Sequence, residues 1–178
     1  MKKICLALAS VSMLYACNDA ENARKKTMKI YTLDSLHFQI EAPMSWKASQ
    51  NKNKPNAVTF FENLENGTDK FEENISIWYE SLPLAIADST YAKAAVTQLK
   101  ITNPSIDISS ILKKKIGENN FHVFQFNFVR PDSSHYTVQG YTFLKGLNGY
   151  NFICTSDQQQ MSAHQAVFDS ILTTFKPL

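Results

Sequence analysis

Cysteine, histidine and serine are the side chains of this sequence best suited to covalent or metal chemistry, and their spacing limits what they can do. The three cysteines are Cys5, Cys17 and Cys154, and the four histidines are His37, His122, His135 and His164. Cys154 alternates with Tyr150 and Phe152, so on a strand it shares their apolar face. A nucleophilic cysteine needs an accessible setting that stabilises its thiolate. An apolar strand face predicts an inert core thiol instead. No histidine stands in an H-E-x-x-H or C-x-x-C-like arrangement. His122 and His135 fall on successive strands that could bring them together, whereas His164 lies beside an apolar helical stripe as a packed or boundary residue. Asp132, Ser133, Ser134 and His135 hold the letters of a catalytic triad within one turn. Triads assemble from separated segments, so this run reads as turn chemistry. There is no G-x-S-x-G elbow, P-loop or G-x-G-x-x-G among the five glycines. The expectation is therefore no catalytic, cofactor-binding or metal-ligating residue.

Cys17 has a different setting. Lys2 and Lys3 precede an apolar run from Ile4 to Tyr15, and small Ala16 comes just before the cysteine. This is the layout of a secretory signal, and the run is about half of the ~20 residues a spanning helix needs. The residues Leu14-Tyr15-Ala16-Cys17 resemble the lipobox of bacterial lipoproteins. That resemblance implies cleavage before Cys17, a diacylglycerol thioether on its sulfur and usually a third acyl chain on the new amino group. Two or more chains anchor stably, at ~0.8 kcal/mol per buried methylene. The expected organisation is a signal peptide over 1–16, an acylated N-terminus and tether over 17–27, and one domain over 28–178. The place of work would be the bacterial cell envelope, at the outer membrane or the periplasmic face. Asn18 to Thr27 is polar and without apolar periodicity, as a tether should be.

Loss of the signal also changes the charge. The whole chain carries 18 Lys+Arg against 16 Asp+Glu, and removing Lys2 and Lys3 leaves 16 of each. A neutral exported form argues against nucleic-acid binding, which needs a net basic footprint. With Cys5 removed and Cys17 acylated, Cys154 has no partner for an intramolecular disulfide.

The elements that must position these residues are mostly strands. Lys29–Leu33 and Leu36–Ala42 predict a hairpin around Asp34-Ser35, ended by Pro43, with Trp46 folding back over its end. Val58–Glu62 and Asn74–Glu80 follow, separated by a turn-rich stretch around Gly67; Ile75, Ile77 and Tyr79 share one face and Trp78 takes the other. Asp88 or Ser89 is a candidate N-cap for a helix to about Ile101, stopped by Asn103-Pro104. Ile106 to Ile116 reads as an extended strand. Then come Phe121–Arg130, with Phe124, Phe126 and Phe128 on one face, His135–Lys145, and Tyr150–Thr155. Asp157 with Gln160 resembles a capping box before a helix striped by Met161, Phe168, Ile171, Leu172 and Phe175. The last three strands are apolar on both faces, so both need cover, and helices are the available cover.

Two motifs then point to a family. Phe38-Gln39-Ile40-Glu41-Ala42-Pro43-Met44-Ser45-Trp46 resembles the F-x-I-x-x-P-x-x-W opening of PsbP-like proteins. Gly149-Tyr150 and Ile171-Leu172-Thr173-Thr174-Phe175-Lys176 resemble their closing motif, with Thr174 where serine is usual. The resemblance covers nearly all of 28–178 and implies an α+β fold, a largely antiparallel sheet with helices on both faces in a PsbP-like α/β/α sandwich. It also implies a mostly non-enzymatic role, since such proteins, DcrB and Mog types among them, dock on larger assemblies or small GTPases or act as chaperones. The leading functional expectation is a membrane-anchored accessory or protein-binding module with an unidentified protein partner. The alternatives are a small-molecule or lipid carrier with a sheet–helix pocket and, last, an envelope hydrolase built on His135 or Cys154. Trp78, Tyr136 and Tyr141, with Tyr91, are the candidate aromatic interaction surface.

Overall fold

A computed structural model describes residues 27–50, 52–62, 73–108, 110–130 and 133–178. Cys17, the signal peptide, most of the tether and the turn around Gly67 lie outside the described residues. In chain order the first strands are β1 (Met28–Leu33), β2 (Phe38–Pro43), β3 (Trp46–Ser49), β4 (Ala57–Glu62) and β5 (Asn74–Ser81). Helix α1 (Asp88–Thr102) follows. Next come β6 (Leu112–Ile116), β7 (Asn119–Val129), β8 (His135–Lys145) and β9 (Asn148–Asp157), then α2 (Met161–Thr173) and the short β10 (Lys176–Pro177).

Seven strands form one antiparallel sheet in the order β3-β4-β5-β9-β8-β7-β6. The pleat sorts its side chains. Ile75 opposes Cys154, Ile77 opposes Phe152, and Tyr141 opposes Phe152, so all of these face one way. On that side α2 and a separate small sheet, ordered β1-β2-β10, close the core. Leu36, Phe38 and Ile40 enter it from the hairpin; Phe168, Ile171, Leu172 and Phe175 enter it from α2 and the residues after it. Full burial of each such side chain stabilises by about 1.5–3 kcal/mol. Polar ties fix the lid. The Tyr150 hydroxyl donates to the His37 carbonyl at 2.7 Å, and the Asn119 side-chain amide donates to the Phe175 carbonyl at 2.9 Å.

The opposite face is covered by α1, which buries Tyr91, Ala92 and Val96. Val96 packs with Phe124, Ile106 and Ile108, and Leu99, Phe126 and Ile153 join the cluster. Two glycines let aromatic rings lie on this face. A Cβ at Gly140 would overlap the ring of Phe124, its cross-strand partner, and a Cβ at Gly149 would stand 2.6 Å from the Tyr91 ring and hydroxyl. The structure thus has the expected antiparallel sheet with a helix on each face.

Local details differ from the sequence expectations. Trp46 does not merely fold back over a strand end; it begins β3 and is buried against Phe168. Ile106 to Ile116 is not one strand, since pairing starts only at Leu112. Ile106 and Ile108 are spent as apolar anchors under α1, which pulls their backbone away from the sheet edge. The N-cap of α1 is Ala87, and the Asp88 carboxylate accepts from the Ser89 N–H at 2.8 Å, inside the first turn where its charge meets the helix dipole. Gln160 caps α2 without a side-chain bond; Asp157 instead accepts from the Gln159 N–H at 2.8 Å, a turn rather than a capping box.

Candidate functional site

Alternation along β5 sends Ile75 and Ile77 into the closed core and Trp78 to the face of α1. Helix α1 lies over β7 and β8, so it leaves a recess beside β5 and β9. Trp78, Leu82, Ile86, Leu99, Phe124 and Ile153 form the apolar walls of this open recess of about 630 Å³. That volume falls in the usual range for small-molecule sites.

The polar part of the recess comes from three separate elements. Tyr91 at the start of α1 donates its hydroxyl to Glu80 Oε1 at 2.7 Å, and Asn151 Nδ2 donates to the Tyr91 hydroxyl at 2.7 Å. Asn151 Nδ2 also reaches Glu80 Oε1 at 3.3 Å. Burial, and then the neighbouring Glu80 carboxylate, push the Tyr91 phenol far above its ordinary range, so it stays a donor. Asn151 Oδ1 is buried and accepts no hydrogen bond. A buried amide oxygen without a donor costs about 1–3 kcal/mol. The arrangement can therefore hold an apolar body against Trp78 and Phe124 and orient a hydrogen-bond donor at the exposed Glu80 carboxylate.

The structure separates the expected aromatic surface. Tyr136 and Tyr141 are 5% and 0% exposed, and Tyr91 is 3% exposed. Tyr136 lies beneath the Arg130 guanidinium, 4.6 Å from its ring centre, and Tyr141 hydrogen-bonds Gln139 and Gln165 inside the core. These side chains have their partners within the fold, so the expected interaction surface reduces to the half-buried Trp78. Sequence reasoning missed Glu80 and Asn151. No local motif marks them; they meet only because β5 pairs with β9 in a register that sets Trp78 opposite Asn151.

The remaining candidates stand apart. Cys154 is fully buried, and burial pushes its thiol well above the ordinary value of 9.0, as an inert core cysteine requires. His135 pairs with Val129, seven residues along β7 from His122, which makes roughly 23 Å between the two histidines. The ring of His37 lies 5.1 Å from that of Tyr79. His164 points from α2 towards the end of β5, with Nε2 3.7 Å from Glu73 Oε1.

No family model and no curated protein matches this sequence. Solved structures match its fold. The cyanobacterial PsbP protein CyanoP of Synechocystis superposes with a TM-score of 0.63 at 11% identity, over 85% of this chain and 93% of the other. LpqN of Mycobacterium tuberculosis, described as involved in cell envelope biogenesis, gives 0.59 at 12% identity, over 78% of this chain and 82% of its own. The Ran-binding protein Mog1p of Saccharomyces cerevisiae gives 0.56 at 6% identity, over 84% and 95%. The chain has a PsbP-like fold, and at these identities the likeness extends to the fold alone.

Proposed function

We propose that this chain is a lipid-anchored, non-enzymatic binding module of the bacterial cell envelope, held at the membrane through Cys17 and working through the recess at Trp78. The observation that carries the binding role is the recess itself: an apolar recess of about 630 Å³ with the Glu80 carboxylate, the Tyr91 hydroxyl and the Asn151 amide converging on one another at its wall. The anchoring part rests on the Leu14-Tyr15-Ala16-Cys17 sequence. The envelope role fits the fold shared with LpqN. Its occupant is a small amphiphile with an apolar body and a hydrogen-bond donor. The recess favours this carrier reading over a purely protein-binding one because it is concave, apolar and of small-molecule size.

Native mass spectrometry on gently purified protein tests the reading. A bound adduct is expected on the wild type and not on Trp78→Ala. A clean unliganded mass, together with a protein cross-linked at position 78, would replace the small molecule by a protein partner. Fatty-acid labelling that survives Cys17→Ala would remove the anchor.

A further inference from the structure

Glu62 ends β4 and Glu73 immediately precedes β5. Phe61 pairs with Asn74, so these two glutamates are the next cross-strand neighbours, and the Glu62 N–H donates to the Glu73 carbonyl at 2.9 Å. Like charges directly opposite one another on adjacent strands are destabilising. Here the conflict is sharpened by burial, because Glu73 is 1% exposed. A buried carboxylate needs a counter-charge or a full set of donors. Among the described residues no lysine or arginine pairs with either glutamate, and Ser156 supplies one donor, its hydroxyl 3.1 Å from Glu73 Oε1.

The third side chain is His164 on α2. Its Nε2 lies 3.7 Å from Glu73 Oε1 and 3.3 Å from Gln160 Oε1. One ring nitrogen carries at most one proton, yet it faces acceptor oxygens on two residues. Ligand atoms of Glu62, Glu73 and His164 all fall within 4.8 Å of one another. Ligands about 2.0–2.2 Å from a tetrahedral zinc ion lie roughly 3.3–3.6 Å apart, so the His164–Glu73 spacing needs little change to close on a cation.

We propose that Glu62, Glu73 and His164 form a binding site for a divalent transition-metal cation, with Gln160 Oε1 beside it. One imidazole with two carboxylates is a set that suits Zn2+, for which His nitrogen and Glu oxygen are ordinary ligands. The cation neutralises the opposed glutamates, and Ser156 holds the Glu73 carboxylate in place as an outer hydrogen-bond partner. Its consequence is mechanical. The metal ties the first turn of α2 to the ends of β4 and β5, on the closed side of the sheet and away from the Trp78 recess.

The test is Zn2+ titration of the full chain after chelator treatment, followed by calorimetry and by thermal unfolding. One equivalent per chain is expected, with a rise in Tm. Glu62→Gln, at a partly exposed position, and His164→Gln should each weaken binding by more than ~10-fold, and Ser156→Ala by about 10-fold. The Co2+ derivative of the wild type should give a spectrum without thiolate charge-transfer bands. That measurement stands even where a substituted protein fails to fold. Absence of binding by the wild type, equal affinity in Glu62→Gln and His164→Gln, or a thiolate band would each overturn the proposal.

Discussion

The two faces of the seven-stranded sheet are built from the same strands yet are finished differently. The face towards α2 is sealed by a helix and a second small sheet, and its rings interlock: Phe152 lies 4.9 Å from Phe175 and 5.7 Å from Phe121. The face towards α1 has one helix and no second sheet. The rings of Phe124 and Tyr91 close onto Gly140 and Gly149, and beside them the recess at Trp78 remains. A face that is completely covered supplies stability. A face covered by one helix leaves apolar surface open beside it, and there one buried atom, Asn151 Oδ1, has no hydrogen-bond partner.

The largest test of that contrast is truncation on each side. Phe152→Ala removes a fully buried ring and should cost about 3–5 kcal/mol in denaturant unfolding, whereas Trp78→Ala should cost about 1.5 kcal/mol or less. Equal losses would erase the distinction between the faces. A smaller effect tests the glycine platform. Gly149→Val should destabilise by about 1–3 kcal/mol through overlap with Tyr91, and adding Tyr91→Ala should recover part of it in a double-mutant cycle. Additive losses would show that the two residues do not press on each other.

Alkaline pH gives the smallest and most selective effect. In the folded protein burial raises Cys154, Tyr91 and Tyr141, and it pushes Tyr150 up to about 12 from an ordinary 10.0. All four are neutral acids whose unfolded forms ionise first. Their contribution is complete below pH 9 and is lost as pH rises towards the folded values, with a slope of at most ~1.4 kcal/mol per pH unit for each group. Stability should therefore fall above pH 9, and Cys154→Ala should flatten the first part of that fall. Unfolding curves at pH 8, 9 and 10 decide it; a stability that rises over this range would contradict the burial argument.

The fold was largely readable because its signals are local. The alternation of Ile75, Ile77 and Tyr79 against Trp78 holds in the structure, as do the stripe of α2 and the full extent of β8. The details that failed were those where a tertiary demand outweighed local preference. Ile106 and Ile108 look like strand residues but serve as anchors below α1. Tyr136 and Tyr141 are candidates for an aromatic interaction surface on the sequence, yet the sheet's two-sided cover buries both. Of the recess, Trp78 was legible from its odd position in the alternation. Glu80 and Asn151 were not, because their meeting depends on pairing between strands 71 residues apart.

By itself the sequence determined which way each side chain faces and that both faces of the sheet require cover, because a strand's period of two fixes alternation without reference to any other segment. It also carries the Leu14-Tyr15-Ala16-Cys17 run on which the proposed anchor rests, which is read as a linear string. Only the tertiary structure decided that the first hairpin leaves the main sheet to pair with the C-terminal strand. It alone set Glu62, Glu73 and His164 around one point and left the recess open beside α1. Strand register and helix placement are settled by how the whole core packs, and no local pattern encodes which distant residues will then become neighbours.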